Sequence, residues 1–260
     1  MTGENRAGLS QSLERGLAVL CAFTPDRPAL GISELARELA LTRSTTHRYV
    51  ATLASLGFLD QDASTSKYRL GPRVLDLGFS VLGSLELREI AAPYLHRLTD
   101  ATGHTSNLAI RDDTDVILID RVRGRPGRYH HLEFTLHTGS RIPAYCSATG
   151  KALLAFLPRP DLEQIAERID FVQRGPRTLT GKRALLAELD QVRHTGLAVN
   201  DEELESALRS IAAPVRARSG GVVAAVNVSI PWSPATMSEL VSRLGPTVQA
   251  AANEIAARVI

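Results

Sequence analysis

Residues 42–48 read Thr42-Arg43-Ser44-Thr45-Thr46-His47-Arg48, a cluster of hydroxyls, an imidazole and two guanidinium groups with no acid among them. In a helix, Thr46, Tyr49, Val50, Leu53 and Leu56 share one face. Ser44 and Arg48 then point outward, flanked by Thr45 and His47. Arginine can donate two hydrogen bonds to guanine, and a serine or threonine hydroxyl reaches a phosphate or a base edge. This is the chemistry of reading duplex DNA. A polar outer face is also what any small helical bundle presents, so the neighbouring residues have to decide. Residues 42–73 hold Arg43, Arg48, Lys67, Arg69 and Arg73 against Asp60 and Asp62, whereas the 260-residue chain has a net charge of only +2. The local excess suits a small phosphate-contacting surface.

The elements that must position this cluster are short. Leu13, Leu17, Leu20 and Phe23 recur at helical spacing after Ser10 or Ser12, either of which can cap, and Thr24 to Pro28 ends the helix. A second helix starts at Ser33 as N-cap, with Ile32, Leu35, Ala36 and Leu39 in one stripe. The third helix starts near Thr42 and ends at Gly57. Only Ala40-Leu41-Thr42 separates the last two, which makes a helix-turn-helix. The strands Phe58 to Asp60 and Tyr68 to Leu70, joined by the polar turn Gln61 to Lys67, form a wing. Lys67 and Arg69 on that wing can hold backbone phosphates.

Beyond Gly71-Pro72 a helix over 73–86 can link two domains, and another runs near 87–102. Strands follow at Asn107 to Ile110 and Val116 to Ile119, then near 129–135 and 140–145, at Leu197 to Asn200 and at Val222 to Ile230. Helices read at 148–157, 161–168, 182–194 and 235–258. An antiparallel sheet with helices makes this half an α+β domain. In the last strand Asn227 and Ser229 share a face with Val223 and Ala225. They form either a polar patch on a pocket floor or the wet side of an edge strand. Ser147 opens a helix that Pro158 terminates, and free N–H groups at a helix start favour a carboxylate. Ser147 is equally readable as a plain N-cap.

Several chemistries are excluded by spacing. Thr149-Gly150-Lys151 is not a phosphate loop, because Tyr145 stands where the first glycine belongs and residue 152 is Ala. Ser147 and Lys151 are four apart, not three, and there is no Gly-x-Ser-x-Gly. His130, His131 and His137 have no nearby Cys to complete a metal set and read as surface residues. Asp112, Asp113 and Asp115 lack a calcium-loop pattern. Asp201, Glu202, Glu203 and Glu205 read as structural or solvated. Cys21 and Cys146 are the only cysteines, so there is no disulfide framework, and a reducing cytoplasm fits. No apolar run is long enough for a transmembrane helix, and the start is too polar for a signal peptide. No catalytic set, cofactor motif or metal set emerges. The reading is a non-enzyme, against the alternative of an enzyme or small-molecule-binding protein with an accessory helical module.

The chain resembles the isocitrate-lyase-regulator (IclR) family of bacterial transcription factors. The carriers are Ser12 to Leu20, Ile32 to Ala36, Ser44 to Arg48 and the wing exit Tyr68 to Gly78. In the second half they are Gly139 to Ala144, Thr149 to Ala155, Asp201 to Glu203 and Gly220 to Ser229. The opening Ser12-Leu13-Glu14-Arg15-Gly16-Leu17-Ala18-Val19-Leu20 is most similar to the branch governing aromatic-acid breakdown by the β-ketoadipate route. The resemblance implies a winged helix-turn-helix over 1–72, a linker helix over 73–86 and a GAF-like effector-binding and oligomerisation domain over 87–260. It implies operator DNA as partner, through Arg43, Ser44, Thr45, His47, Arg48, Lys67 and Arg69. It also implies assembly as a homodimer or tetramer in the cytoplasm, without a membrane. The effector it implies is a small organic acid. Ser147, Ala148, Asn227 and Ser229 would face it, and Asn200 and Ser210 fall where the family places further contacts. Members that bind small keto acids carry an acid at the position of Asn200 and a thiol at that of Ser210, so a different effector is implied here.

Overall fold

The computed structural model describes residues 10–84, 86–124, 136–218, 220–231 and 233–259, and the side chains of residues 79–84 are not described. The strand expected near 129–135, with His130 and His131, lies outside the described residues. The chain divides into two compact units, Met1–Ser84 and Leu85–Ile260.

The first unit packs three helices and a small hairpin. The Ser10 hydroxyl accepts from the Leu13 N–H at 3.4 Å and starts α1 (Gln11–Cys21). Of the expected stripe, Leu13 and Leu17 are 63% and 52% exposed, whereas Leu20 packs against the core and Phe23 is buried in it beside Val19. Only the last turns of α1 reach the core, where Val19, Ala22 and Phe23 meet Leu30, Leu35, Val50, Leu59 and Tyr68. The cap of helix α2 (Ile32–Glu38) lies two residues before the expected Ser33. The cap is Gly31, whose N–H donates to Glu34 Oε2 at 2.7 Å, the backward half of a capping box, in place of the serine hydroxyl expected to accept from the first turn. The turn to α3 (Arg43–Ser55) places Ala40 at φ +51, a conformation glycine adopts more easily. Thr42 caps α3, accepting from the Thr45 N–H at 3.2 Å. Thr46 and Val50 are buried on its inner face, but Leu56 lies just past the helix end and stays exposed.

Strands β1 (Leu59–Gln61) and β2 (Tyr68–Leu70) pair antiparallel, Leu59 opposite Leu70. Tyr68 also exchanges two backbone hydrogen bonds with Leu30, at 2.9 and 3.0 Å, which ties the wing to the segment that leads into α2. Helix α4 (Arg73–Ser84) ends this unit.

The second unit is a six-stranded antiparallel sheet in the order β5-β4-β3-β8-β7-β6. Its strands are β3 (Thr105–Asp112), β4 (Asp115–Val122), β5 (Arg141–Pro143), β6 (Ala198–Asp201), β7 (Leu208–Arg216) and β8 (Val222–Pro231). Helix α5 (Glu86–Thr102) and the closing α9 (Met237–Ala256) pack on each other and on the sheet. On that face the Ser106 hydroxyl donates to the α5 carbonyl of Leu95 at 3.0 Å. The other face carries α6 (Ala148–Leu154), clustered with Ala109, Leu118, Ala198, Ala212 and Ala225. Helices α7 (Arg159–Arg168) and α8 (Lys182–Thr195) complete that layer.

Three expectations change. Strand β7 is not among the expected elements, and it holds Pro214, a residue disfavoured in a sheet interior. The β6 pairing ends at Ala212, so Pro214 sits where β7 is bonded only to β8, and a donor on the open side is not needed. Strand β8 lies between β3 and β7, which removes the edge-strand reading of Asn227 and Ser229. The helix expected over 148–157 stops at Leu154, and Pro158 caps the start of α7 rather than ending α6.

Every residue of α6 is buried. A Cβ on Gly150 would come within 2.2 Å of both Cα and the carbonyl oxygen of Ala144. Gly150→Ala is therefore expected to destabilise by about 1–3 kcal/mol through overpacking, read from urea unfolding of the full chain by circular dichroism.

Candidate functional sites: a DNA-reading helix and a polar chamber

In the first unit, Arg43, Ser44, His47 and Arg48 are exposed on α3 and Thr45 is half-buried. The Thr45 hydroxyl accepts from Thr42 Oγ1 at 2.8 Å, so it is turned back toward the cap. The Tyr49 hydroxyl contacts Ser12 and Arg15 of α1, and these contacts hold its pKa below the usual value. Among the described residues no carboxylate pairs with Arg43 or Arg48.

The wing cations are differently placed. Lys67 Nζ stands 3.3 Å from Glu34 Oε2, the atom that caps α2, and Arg69 reaches Asp62 at 3.7 Å. Any phosphate contact by either residue competes with an acid already present. Asp62 also builds the turn: its Oδ1 accepts from the Ser64 N–H at 2.9 Å, the Ser64 hydroxyl at 2.6 Å and the Thr65 N–H at 3.1 Å. These bonds hold its carboxyl down at about 2.

In the second unit the sheet register assembles the predicted effector residues. Asn107 on β3 lies opposite Asn227 on β8, and Ser210 on β7 lies between Asn200 on β6 and Ser229 on β8. Ser147, Ala148, Asn200, Ser210, Asn227 and Ser229 all line one chamber. Its volume is only 20 Å³, room for about one water. Apolar walls come from Leu118, Leu136, Ile142, Leu204 and Leu208.

Asn107 and Arg121 were not foreseen as part of this site. Asn107 Nδ2 donates to Asn227 Oδ1 at 2.9 Å and to Ser229 Oγ at 3.2 Å, while Arg121 Nη1 donates to Asn107 Oδ1 at 2.8 Å. A chain of hydrogen bonds thus runs from a guanidinium to the Ser229 hydroxyl. The strand pattern had marked Asn107 only as an element residue, because its role depends on a partner 120 positions away.

Two predicted residues also hold the scaffold. The Ser147 hydroxyl accepts from the Gly150 N–H at 3.2 Å and donates to the Pro143 carbonyl at 2.9 Å. Asn200 Oδ1 accepts from the N–H groups of Glu203 and Leu204 at 2.8 and 3.3 Å. Behind the chamber, Lys151 Nζ is fully buried, 2.5 Å from Glu203 Oε1 and 3.2 Å from Glu188 Oε1. Burial pushes the Glu203 carboxyl up, and the Lys151 ammonium offsets part of that. Burial likewise raises the Cys146 thiol to about 11, which makes it inert as a nucleophile.

The other acids take structural roles. Asp112 and Asp115 pair with Arg141, and Asp113 with Arg168. Asp201 pairs with Arg177 and Arg209, and Arg209 also meets Glu202. Among the described residues no three His, Cys, Asp or Glu side chains are grouped to hold a metal, and no helix is long and apolar enough to cross a membrane.

Lys151→Met is expected to cost about 3–5 kcal/mol near neutral pH, because it leaves Glu203 buried without its cation. The folded-state pKa of Glu203 is raised, so stability falls as pH rises through it, and the loss in the variant should shrink in acid. Denaturant curves at several pH values measure this. For Asp62 the sign reverses. Its contribution to the wing turn is present above its ordinary 3.8 and lost as pH falls through about 2. Amide exchange at Ser64 and Thr65 should therefore stay slow until that range.

Comparison with known proteins places these features. Residues 12–63 match the model described as the IclR helix-turn-helix domain, and residues 79–257 match that of the bacterial transcriptional regulator IclR C-terminal domain. The chain is 38% identical to the Pca regulon regulatory protein of Pseudomonas putida over 94% of this chain and 82% of that one. It is 32% identical to the HTH-type transcriptional regulator XynR of Escherichia coli (strain K12) over 84% of this chain and 85% of that one. An IclR family transcriptional regulator from Brucella abortus superposes with a TM-score of 0.82 at 28% identity, covering 100% of this chain and 96% of the other. An IclR homologue from Microbacterium hydrocarbonoxydans, complexed with 4-hydroxybenzoate, superposes with a TM-score of 0.79 at 26% identity, covering 95% and 98%.

Proposed function

The chain belongs to the IclR family of bacterial transcriptional regulators, and from that premise we propose that a small organic acid in the second unit's chamber controls its grip on operator DNA. It is a DNA-binding regulator with an N-terminal helix-turn-helix, not an enzyme. The observation that carries the DNA reading is the outward face of α3, where Arg43, Ser44, His47 and Arg48 stand exposed and the two arginines have no acidic partner among the described residues.

Arg48 and Ser44 read base edges in the major groove. Arg43, Thr45 and His47 contact the backbone beside them. Lys67 and Arg69 add phosphate contacts from the wing after leaving Glu34 and Asp62. Residues 1–72 form the reading module, 73–86 the link, and 87–260 the effector and assembly domain. The protein works in the cytoplasm as a homodimer or a pair of dimers. Leu13, Leu17, Leu75 and Leu77, all more than half exposed in the single chain, support a second copy that covers them. Two α3 helices then fall in half-sites roughly 34 Å apart, or a multiple of that.

The acid's polar end enters the chamber at the start of α6, by Ser147 and Ala148, with Asn200, Ser210, Asn227 and Ser229 around it. The Microbacterium homologue's 4-hydroxybenzoate supports an aromatic acid, and the 20 Å³ chamber has to widen to take one. By linkage, an acid that loosens DNA must itself bind more weakly when DNA is present.

Arg48→Ala is expected to lose about 1–3 kcal/mol and to relax preference at one base pair. Lys67→Gln should weaken all sequences alike and reduce the salt slope by about one. Footprinting of the upstream intergenic DNA, with and without a panel of aromatic and keto acids, tests the whole reading. Absence of any protected region under all conditions would refute it.

A further inference from the structure

Outside the polar chamber lies a larger cavity of 430 Å³, the size of ordinary small-molecule sites. The two share Leu136, Ile142, Leu204 and Leu208 as a common apolar wall. Three charged side chains line the outer one: Arg141, Arg174 and Glu205. They are not equivalent. Arg141 is already balanced by Asp112 and Asp115. Among the described residues no carboxylate pairs with Arg174, and no cation pairs with Glu205.

The backbone that presents Arg174 is firmly held. The Arg174 N–H donates to Thr178 Oγ1 at 3.0 Å, the Gly175 N–H donates to the Glu203 carbonyl at 3.2 Å, and Tyr145 Oη donates to the Val172 carbonyl at 2.5 Å. A Cβ on Gly175 would lie 2.1 Å from the Glu202 carbonyl oxygen, so the two loops are in close contact. The Tyr145 hydroxyl also meets the Arg174 side chain.

We propose that this outer cavity is an acid subsite: a monoanionic organic acid places its carboxylate on Arg174 and its apolar body on the shared wall of Leu136, Ile142, Leu204 and Leu208. A guanidinium fork suits a carboxylate, and the aliphatic wall suits a body of ring size. Glu205 in the same cavity disfavours a second negative charge, which makes the site selective for one. A polar group at the far end of the ligand then faces the Asn227 and Ser229 side of the inner chamber. The inference rests on the effector reading above and adds where the charge is recognised.

The test uses the full-length protein with benzoate and its neutral isostere benzamide, by calorimetric titration at low and moderate salt. Wild type is expected to favour benzoate by about fivefold or more, with the preference shrinking as salt rises. Arg174→Gln should erase that preference and leave benzamide affinity unchanged. Glu205→Gln should strengthen benzoate binding. Both side chains are exposed, so the thermal midpoint should stay near that of wild type. If benzoate binds and Arg174→Gln leaves its affinity unchanged, the subsite is overturned while the effector reading stands. If benzoate does not bind wild type at millimolar concentration but another acid changes the footprint, the subsite again falls alone. If no acid binds and none changes the footprint, both fall.

Discussion

A lysine ammonium taken wholly out of water has to find balancing charge within hydrogen-bond reach, and Lys151 finds it on Glu203 and Glu188. That requirement fixes more than one residue. Lys151 sits at the middle of α6, Glu203 in the loop after β6, and Glu188 on α8, so one cation sets three elements around the chamber. Asn200 reinforces it by accepting from the N–H groups of Glu203 and Leu204. Gly150 lets the same helix lie on Ala144. The chamber's shape is therefore set from behind, by charge balance and close backbone packing. Its front is left to neutral amides and hydroxyls that can exchange one hydrogen-bond partner for another.

The first unit separates its charges differently. Glu34 closes the start of α2 and also holds Lys67, while Asp62 shapes the wing turn and also meets Arg69. Each acid serves the local fold and shields a cation of the wing. Arg43 and Arg48 have no such shield among the described residues. The difference ranks the cations by how they are held: Lys67 and Arg69 each have an acid to give up before meeting another anion, and Arg43 and Arg48 do not.

Much of this was legible in the residues. Helical spacing located α2, α3 and the turn between them, and alternation located β8 and the two polar positions on it. What escaped had identifiable reasons. Strand β7 holds Pro214, whose harmlessness depends on where β6 stops. Asn107 and Arg121 joined the site only through pairing across distant strands, which no local pattern reveals. Leu13 and Leu17 had the periodicity of a core stripe, yet only the last turns of α1 reach the core, and spacing alone does not say how far along a helix its neighbours extend. Gly31 displaced Ser33 as cap because a carboxylate at the third helical position can bond backward, an option that residue preference at the cap itself does not weigh.

The amide pair across β3 and β8 has a consequence for how the chain reaches this arrangement. Side chains alternate along a strand, so a slip of one residue would turn Asn227 onto the face packed by α5 and α9 and take it away from Asn107. An amide stranded there without a bonding partner carries a penalty of roughly 1–3 kcal/mol. The amide pair that lines the chamber thus also favours the native register of β3 and β8 over a shifted one.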